Sequence, residues 1–509
     1  MFAPVFAFVA LISWGLSSPV GSSPDDEFHL ASIWCGQENS RCAAGETPGE
    51  RMVSPELLID AVCYAYKPGV SAECQGEDFG STPGQLIESD RGNFSALYPP
   101  VFYAAMSLLA GSNVETSVML MRIANAALFV GLMTTTFLLL PQRRRLTLVW
   151  ASVITAVPLG MFIIPSTNPS SWAILSAALL WISLLGYFES TGKRKVGLAV
   201  VALVAAVMGA GARADAALYA ILAIALVMLI TARRDAGYWI QAILPASLIA
   251  VAGLLYLTAN QSAALTAGLP PVDGGIGLSP IGLIASNLLL VPSLWAGVFG
   301  SWNLGWLDTA LPPTVWIATL GSFCAVAYVG IGSKVRRKTL ALAIVLAALW
   351  LVPTVVLVRT NALVGSYVQP RYILPLMILL AGFALLQRRS TQDGSDTPLH
   401  LTSLQALVPV VALSVANSIS LHTNIRRYVT GTDLSGVNLD TNHEWWWSIP
   451  TSPMFVWIVG SISFALLLFC LCSLLIRRRE ASTVMSANSA TPDWTPDDLE
   501  IPTASLPGS

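Results

Sequence analysis

Charge is scarce in this chain. Only 11% of its 509 residues are Asp, Glu, Lys or Arg, and there are four histidines. A soluble protein of this length would need more polar side chain than that to cover its surface. The 54% hydrophobic content and mean hydropathy of +0.66 exceed what an aqueous core can hold. The chain therefore reads as an all-α integral membrane protein. Recognised phosphate and zinc devices are missing too: no Walker loop, GxGxxG turn or HExxH helix stands in a suitable context. No nucleic-acid partner is expected, and any activated substrate would have to arrive through the membrane. The first apolar run, Phe2 to about Val20, lacks a basic leader and an A-x-A-like cleavage site, which favours a retained anchor.

The few charges present are informative by position. Most of the 27 Lys and Arg fall in six clusters between apolar runs: Arg143 to Arg145, Lys193 to Lys195, Arg233 and Arg234, Lys334 to Lys338, Arg388 and Arg389, and Arg477 to Arg479. The positive-inside rule places all six on the cytoplasmic side, with both termini, in a cell membrane. Four of the seven cysteines, Cys35, Cys42, Cys63 and Cys74, lie in the long loop of residues 20–97. Two disulfides in one of three pairings are expected there, which suits an oxidising exterior. Cys324, Cys470 and Cys472 lie in apolar runs and read as packing residues.

Spans follow at about 116–140, 146–165, 171–188, 196–212, 216–232, 238–258, 313–332, 339–358, 371–387, 404–422 and 453–476, about twelve with the first. Segments 98–112 and 281–300 are apolar, but as crossings they would invert the basic clusters, so each is expected to lie at the outer interface. Residues 1–478 then form one polytopic domain. Residues 479–509, rich in Pro, Ser, Thr and acids, read as a disordered cytoplasmic tail.

Two sets of residues point to chemistry. Asp25-Asp26-Glu27-Phe28-His29 follows the first span directly, where carboxylates are costly unless paired, hydrated or used. Arg122, Arg213, Arg359, Arg371, Arg426 and Arg427 sit near outer span ends, and a guanidinium fork matches phosphate or carboxylate. Arg213 has an obvious partner in Asp215. Outer loops also carry Asp273, Asp308, Asp433, Asp440, His443 and Glu444, with tryptophans at 302, 306 and 445–447 that read first as interfacial anchors.

Five short motifs in order resemble the domain of unknown function 2142 family: Asp25-Asp26-Glu27-Phe28-His29 for its D-E-x-x-H, Tyr98-Pro99-Pro100, Asn168-Pro169, Gly305-Trp306-Leu307-Asp308 with Pro312, and Gln369-Pro370-Arg371-Tyr372 with Pro375. The resemblance spans about residues 5 to 475. Asp26 stands where the family commonly has Glu, and Ser170 where an Asp is frequent. The family is similar to the GT-C glycosyltransferases, which take a sugar from a polyprenyl-phosphate donor and use a first-loop carboxylate as base. That resemblance implies an inverting hexosyl- or pentosyltransferase acting on a cell-envelope glycan or lipid acceptor at the outer face. Asp25 would be the base, Asp26 would orient it or help bind an ion, and Glu27 would fall at a variable position. His29, Tyr98, Arg122, Asn168, Arg213, Asp308, Arg371 and Tyr372 would line the substrate site. The base is expected to have a pKa raised toward working pH. No cofactor is required, although a divalent cation such as Mg²⁺ or Mn²⁺ could bridge carboxylate and phosphate. The rival reading is a multi-pass transporter or flippase of a lipid-linked or anionic precursor. It is weakened because the span interiors carry almost no ionisable residue besides Arg122, and a transport path needs polar contacts at both depths.

Overall fold

The computed structural model describes residues 2–35, 42–76, 79, 85–260, 277–331, 335–387 and 401–489, with side chains as far as 473. The chain opens with helix α1 (Ala3–Leu16), followed in the first loop by α2 (Asp26–Cys35) and α3 (Pro55–Leu58), and by α4 (Val101–Ser107). Then come α5 (Val114–Leu139), α6 (Gln142–Ala156), α7 (Leu159–Ile163), α8 (Ser170–Glu189), α9 (Gly192–Ala212), α10 (Ala214–Thr231) and α11 (Ala236–Leu257). The second half holds α12 (Pro280–Ala296), α13 (Pro313–Ile331), α14 (Arg336–Arg359), α15 (Pro370–Leu385), α16 (Ser403–Val429) and α17 (Pro453–Ser489).

Among the described residues, ten helices are long and apolar enough to cross a membrane, and α1 and α15 are shorter apolar helices. Local sequence sets their ends. Asn113 and Asp235 cap α5 and α11 by accepting from Thr116 N and Tyr238 N, both at 2.8 Å, and Thr402 with Gln405 forms a capping box on α16. The span expected at 146–165 is broken into α6 and α7 at Pro158, which has no amide to donate. Helix α8 is the central post, buried from Ser170 to Gly186. The helices around it leave leucine- and isoleucine-rich faces exposed, as Leu120, Leu128 and Leu138 do on α5, which suits lipid contact.

One end of the bundle carries the first-loop subdomain, and among the described residues Arg143 to Arg145, Arg233 and Arg337 gather at the other. Arg144 bonds Glu189 and Gln387 O, and Arg337 donates to Ala232 O at 2.7 Å, so the ends of α8, α10 and α15 meet the starts of α6 and α14. Helix α12 is continued by a wide turn at Gly297–Ser301, and the two together are one of the ten helices long and apolar enough to cross a membrane. Near its start, Asn287 bonds Ala362 O and Val364 N, beyond the end of α14. At its finish Gly297 lies against Pro370, the first residue of α15. Both contacts are with residues toward the loop end of the bundle. Segment 98–112 forms the short helix α4. Phe102, Tyr103 and Met106 are buried in protein, and Val101 packs so closely on α9 that a Cβ on Gly211 would meet it at 2.5 Å. The helix packs on this face and leaves Leu108, just past its end, 80% exposed.

The first-loop subdomain closes around its own core. Strands β1 (Arg51–Val53) and β2 (Ile87–Ser89) pair antiparallel, and Cys35–Cys42 and Cys63–Cys74 form the two disulfides. Trp306, Tyr428, Trp445 and Trp447 pack into this core, so three of the tryptophans read as interfacial anchors instead hold the subdomain on the bundle. Helix α17 runs past Arg479 to Ser489, and residues 490–509 of the expected tail lie outside the described residues, as do Asp273, Arg388 and Arg389.

Candidate active site

The turn from α1 into α2 is irregular backbone buried inside protein, so each carbonyl there needs a donor. Nearly all the distant motifs supply one. Arg122 donates to Gly15 O (2.7 Å), Ser18 O (2.5 Å) and Pro19 O (2.6 Å). Trp447 donates to Leu16 O (2.8 Å), Asn424 to Ser17 O (3.3 Å), and Tyr64 to Val20 O (2.6 Å). Trp306 reaches Gly21 O (2.9 Å), while Asn168 (2.9 Å) and Arg371 (3.1 Å) share Pro24 O. These bonds hold the turn rigidly and present Asp25 from it.

Asp25 has a left-handed backbone, φ 62°. That conformation is costly for a residue other than glycine and is kept where the surroundings enforce it. Its side chain is 34% exposed and pairs through Oδ2 with Nη2 of Arg371, whose own side chain is only 2% exposed. Burial alone would raise the Asp25 pKa, but the Arg371 charge and hydrogen bond, with help from Arg91, hold it below the usual carboxylate range. This overturns the expected upward shift for the base. Asp25 is ionised at neutral pH, as a proton acceptor must be.

Asp26 is turned the other way. It is fully buried, with Oδ1 accepting from Ser23 Oγ (2.5 Å) and Thr167 Oγ1 (2.9 Å), and Oδ2 from Ser23 N (3.1 Å). Burial raises its pKa, opposed by these bonds and by Arg122. It ties the turn to the loop before α8 and has no open face for a substrate proton.

On the other side of Asp25 lies an aromatic and cationic wall. The buried His29 shares a 2.9 Å hydrogen bond between Nδ1 and Tyr103 Oη and packs edge-on against Tyr98 at 5.6 Å. Burial, outweighing the attraction of Asp25 and aided by Arg371 and Arg213, pushes its pKa down to about 3, so the ring is neutral. Arg213 sits over the rings of Tyr372 (4.5 Å) and Tyr98 (5.6 Å) and makes a two-pronged pair with Asp215 at 2.9 Å. Tyr372 accepts from Arg371 at 2.9 Å. Several buried polar atoms here lack any partner: Arg371 Nε, Arg213 Nη1, Gln369 Oε1 and His29 Nε2. Orphaned buried donors are costly, and a phosphate would satisfy those of the two arginines.

Of the residues expected to line the site, Asp25, His29, Tyr98, Arg213, Arg371 and Tyr372 come together. Arg122 and Asn168 touch the turn from behind and carry structure. Asp308 is remote in function: it pairs with the fully buried Arg427 (2.8 Å), which also holds Tyr64 O and Val70 O, and so clamps the 302–312 loop to the subdomain. Arg91 and Glu27 form a further pair beside Asp25, and Tyr66 stands exposed nearby. Glu27 belongs to the acidic stretch picked out in the sequence, whereas Arg91 and Tyr66 were not singled out, since a loop arginine and a loop tyrosine carry no periodic signal. Among the described residues no three His, Cys, Asp or Glu side chains converge as a metal site. With Asp25 held by Arg371 and Asp26 saturated, the donor set does not fit a divalent cation.

The sequence profile of the family described as predicted membrane protein (DUF2142) matches residues 8–380. The chain belongs to that family. No curated protein matches it at a significant level.

Proposed function

We propose that this DUF2142 family member is an inverting glycosyltransferase that moves a sugar from a polyprenyl-phosphate donor to a cell-envelope acceptor. The loop end of the bundle faces outside, and the basic end and both termini face the cytoplasm. One observation carries the reading: an ionised, partly exposed carboxylate, Asp25, shares a buried arginine with a pocket wall whose remaining N–H groups, Arg371 Nε and Arg213 Nη1, are unsatisfied.

The chemistry follows from that sharing. The donor phosphate takes the place of Asp25 on Arg371 and engages Arg213, which leaves Asp25 without the cation that depresses its pKa and so makes it a stronger base. Asp25 accepts the acceptor hydroxyl proton as that oxygen bonds to the anomeric carbon. The bond from that carbon to the phosphate oxygen breaks on the opposite face, and polyprenyl phosphate leaves as an anion held by the two arginines. His29, neutral, and Tyr98 shape the wall without donating a charge. No step needs a metal.

The test is transfer and donor binding measured together in proteoliposomes with a panel of polyprenyl-phosphate sugars. Asp25→Asn removes the proton acceptor and should lower transfer by about 10²–10⁴ with donor still bound. Arg371→Lys keeps the charge but loses the fork, so donor binding should weaken as well. Glu27→Gln should leave transfer within a few-fold. If Asp25→Asn and Arg371→Lys both transfer normally, the assignment of this site fails; if the wild type transfers no sugar from any donor in the panel, the enzyme reading fails and transport of a lipid-linked precursor takes its place.

A further inference from the structure

At the end opposite the candidate active site, α6, α11 and α14 begin and α8, α10 and α15 finish around a cavity of about 290 Å³. Its charged lining is Arg143, Arg144, Arg233, Arg337 and Lys338 against only Glu189 and Asp235. Both acids are already occupied. Glu189 takes two bonds from Arg144 (2.9 and 2.6 Å) and one contact from Arg143 (3.3 Å), and Asp235 caps α11. The wall is built, because Arg144 and Lys338 are 4% and 3% exposed and each is fixed to a backbone carbonyl, of Gln387 and Gly330. Arg233 lines the cavity with its side chain exposed, and because three helix N-termini and three C-termini meet there, their end charges offset and the surplus is that of the side chains. This surplus of positively charged side chains around a partly open cavity calls for an anion.

The walls also say which kind. Tyr238 of α11 lines the cavity, and its neighbours Trp239, Ile240 and Ile243 are 64%, 69% and 64% exposed on the outer face of the same helix. An acyl chain can lie along that face while its headgroup turns into the cavity, and a tryptophan at this level is typical of the interfacial belt. We infer that this cavity seats the phosphate of an anionic phospholipid headgroup. The inference is independent of the proposed transfer reaction.

The experiment is native mass spectrometry of the full-length protein in detergent with phosphatidylglycerol or phosphatidylcholine added. Phosphatidylglycerol should be retained in preference, and Arg233→Gln, at an exposed position that leaves the fold intact, should weaken retention about tenfold, as loss of a bond to a charged group does. Arg194→Gln, exposed in the first turn of α9 and outside the cavity, should have no effect. Equal retention of the two lipids, or equal loss in both variants, would overturn the site. Displacement of the lipid by millimolar inorganic phosphate would overturn the headgroup assignment and leave a free phosphate as the ligand.

Discussion

Asp25 and Asp26 are adjacent in sequence and opposite in role, because the left-handed backbone at Asp25 sends one carboxylate toward Arg371 and the next residue begins α2 with its carboxylate turned inward. Asp26→Asn replaces an acceptor of three bonds by a group that also donates, inside a site with no room for water. It should lower stability by about 1–3 kcal/mol in thermal unfolding, reducing transfer only through loss of folded protein. His29 gives a pH signature. Its folded pKa of about 3 lies below the ordinary 6.5 of a histidine, so the unfolded chain binds the extra proton first. Its contribution is complete above 6.5 and is lost as pH falls toward 3. The pH dependence of unfolding in wild type minus that in His29→Gln should rise across this window, and a flat difference would mean the ring is not buried neutral. In the sequence the acidic cluster stood out by position, but which of its members faces a substrate depends on one φ angle and on partners more than a hundred residues away.

The element on which the site depends is the α1–α2 turn, a short buried stretch whose carbonyls are met by α5, α15, α16 and the subdomain. Gly21 shows how tight it is: φ is +81°, and a Cβ there would lie 2.0 Å from Ala61 O. Gly21→Ala should cost about 3 kcal/mol or prevent folding, read as loss of monodisperse protein after extraction, whereas Gly49→Ala, with φ +95° and open space, should be milder. The family motifs were legible as motifs, but their division of labour was not. Tyr98 and Arg371 face the site, whereas Asn168, Arg122 and Trp306 secure the turn from behind, a distinction made by long-range packing that no local pattern encodes. The spans were legible because lipid demands continuous apolar runs, and the break at Pro158 and the burial of α4 were not, since both depend on neighbouring helices.

For the whole molecule, charge asymmetry between the two ends was already written in the basic clusters, and the structure gathers Arg143 to Arg145, Arg233 and Arg337 at one end. With Cys324, Cys470 and Cys472 removed, a cysteine placed at Asp433 should react with an impermeant reagent in intact cells, and one placed at Asp393 should not. Labelling at 393 would invert the proposed orientation. The same architecture separates a site at the loop end from a cationic cavity at the other, with α8 filling the interior between them. The most direct measurement is a cryo-EM map of the full-length protein with polyprenyl monophosphate bound. Phosphate density should lie within hydrogen-bonding distance of Arg371 Nε and Arg213 Nη1, with the Asp25 carboxylate released from Arg371 and facing open solvent. Density for the phosphate elsewhere, with the Asp25–Arg371 pair intact, would contradict the assignment of this site to a lipid-phosphate sugar donor.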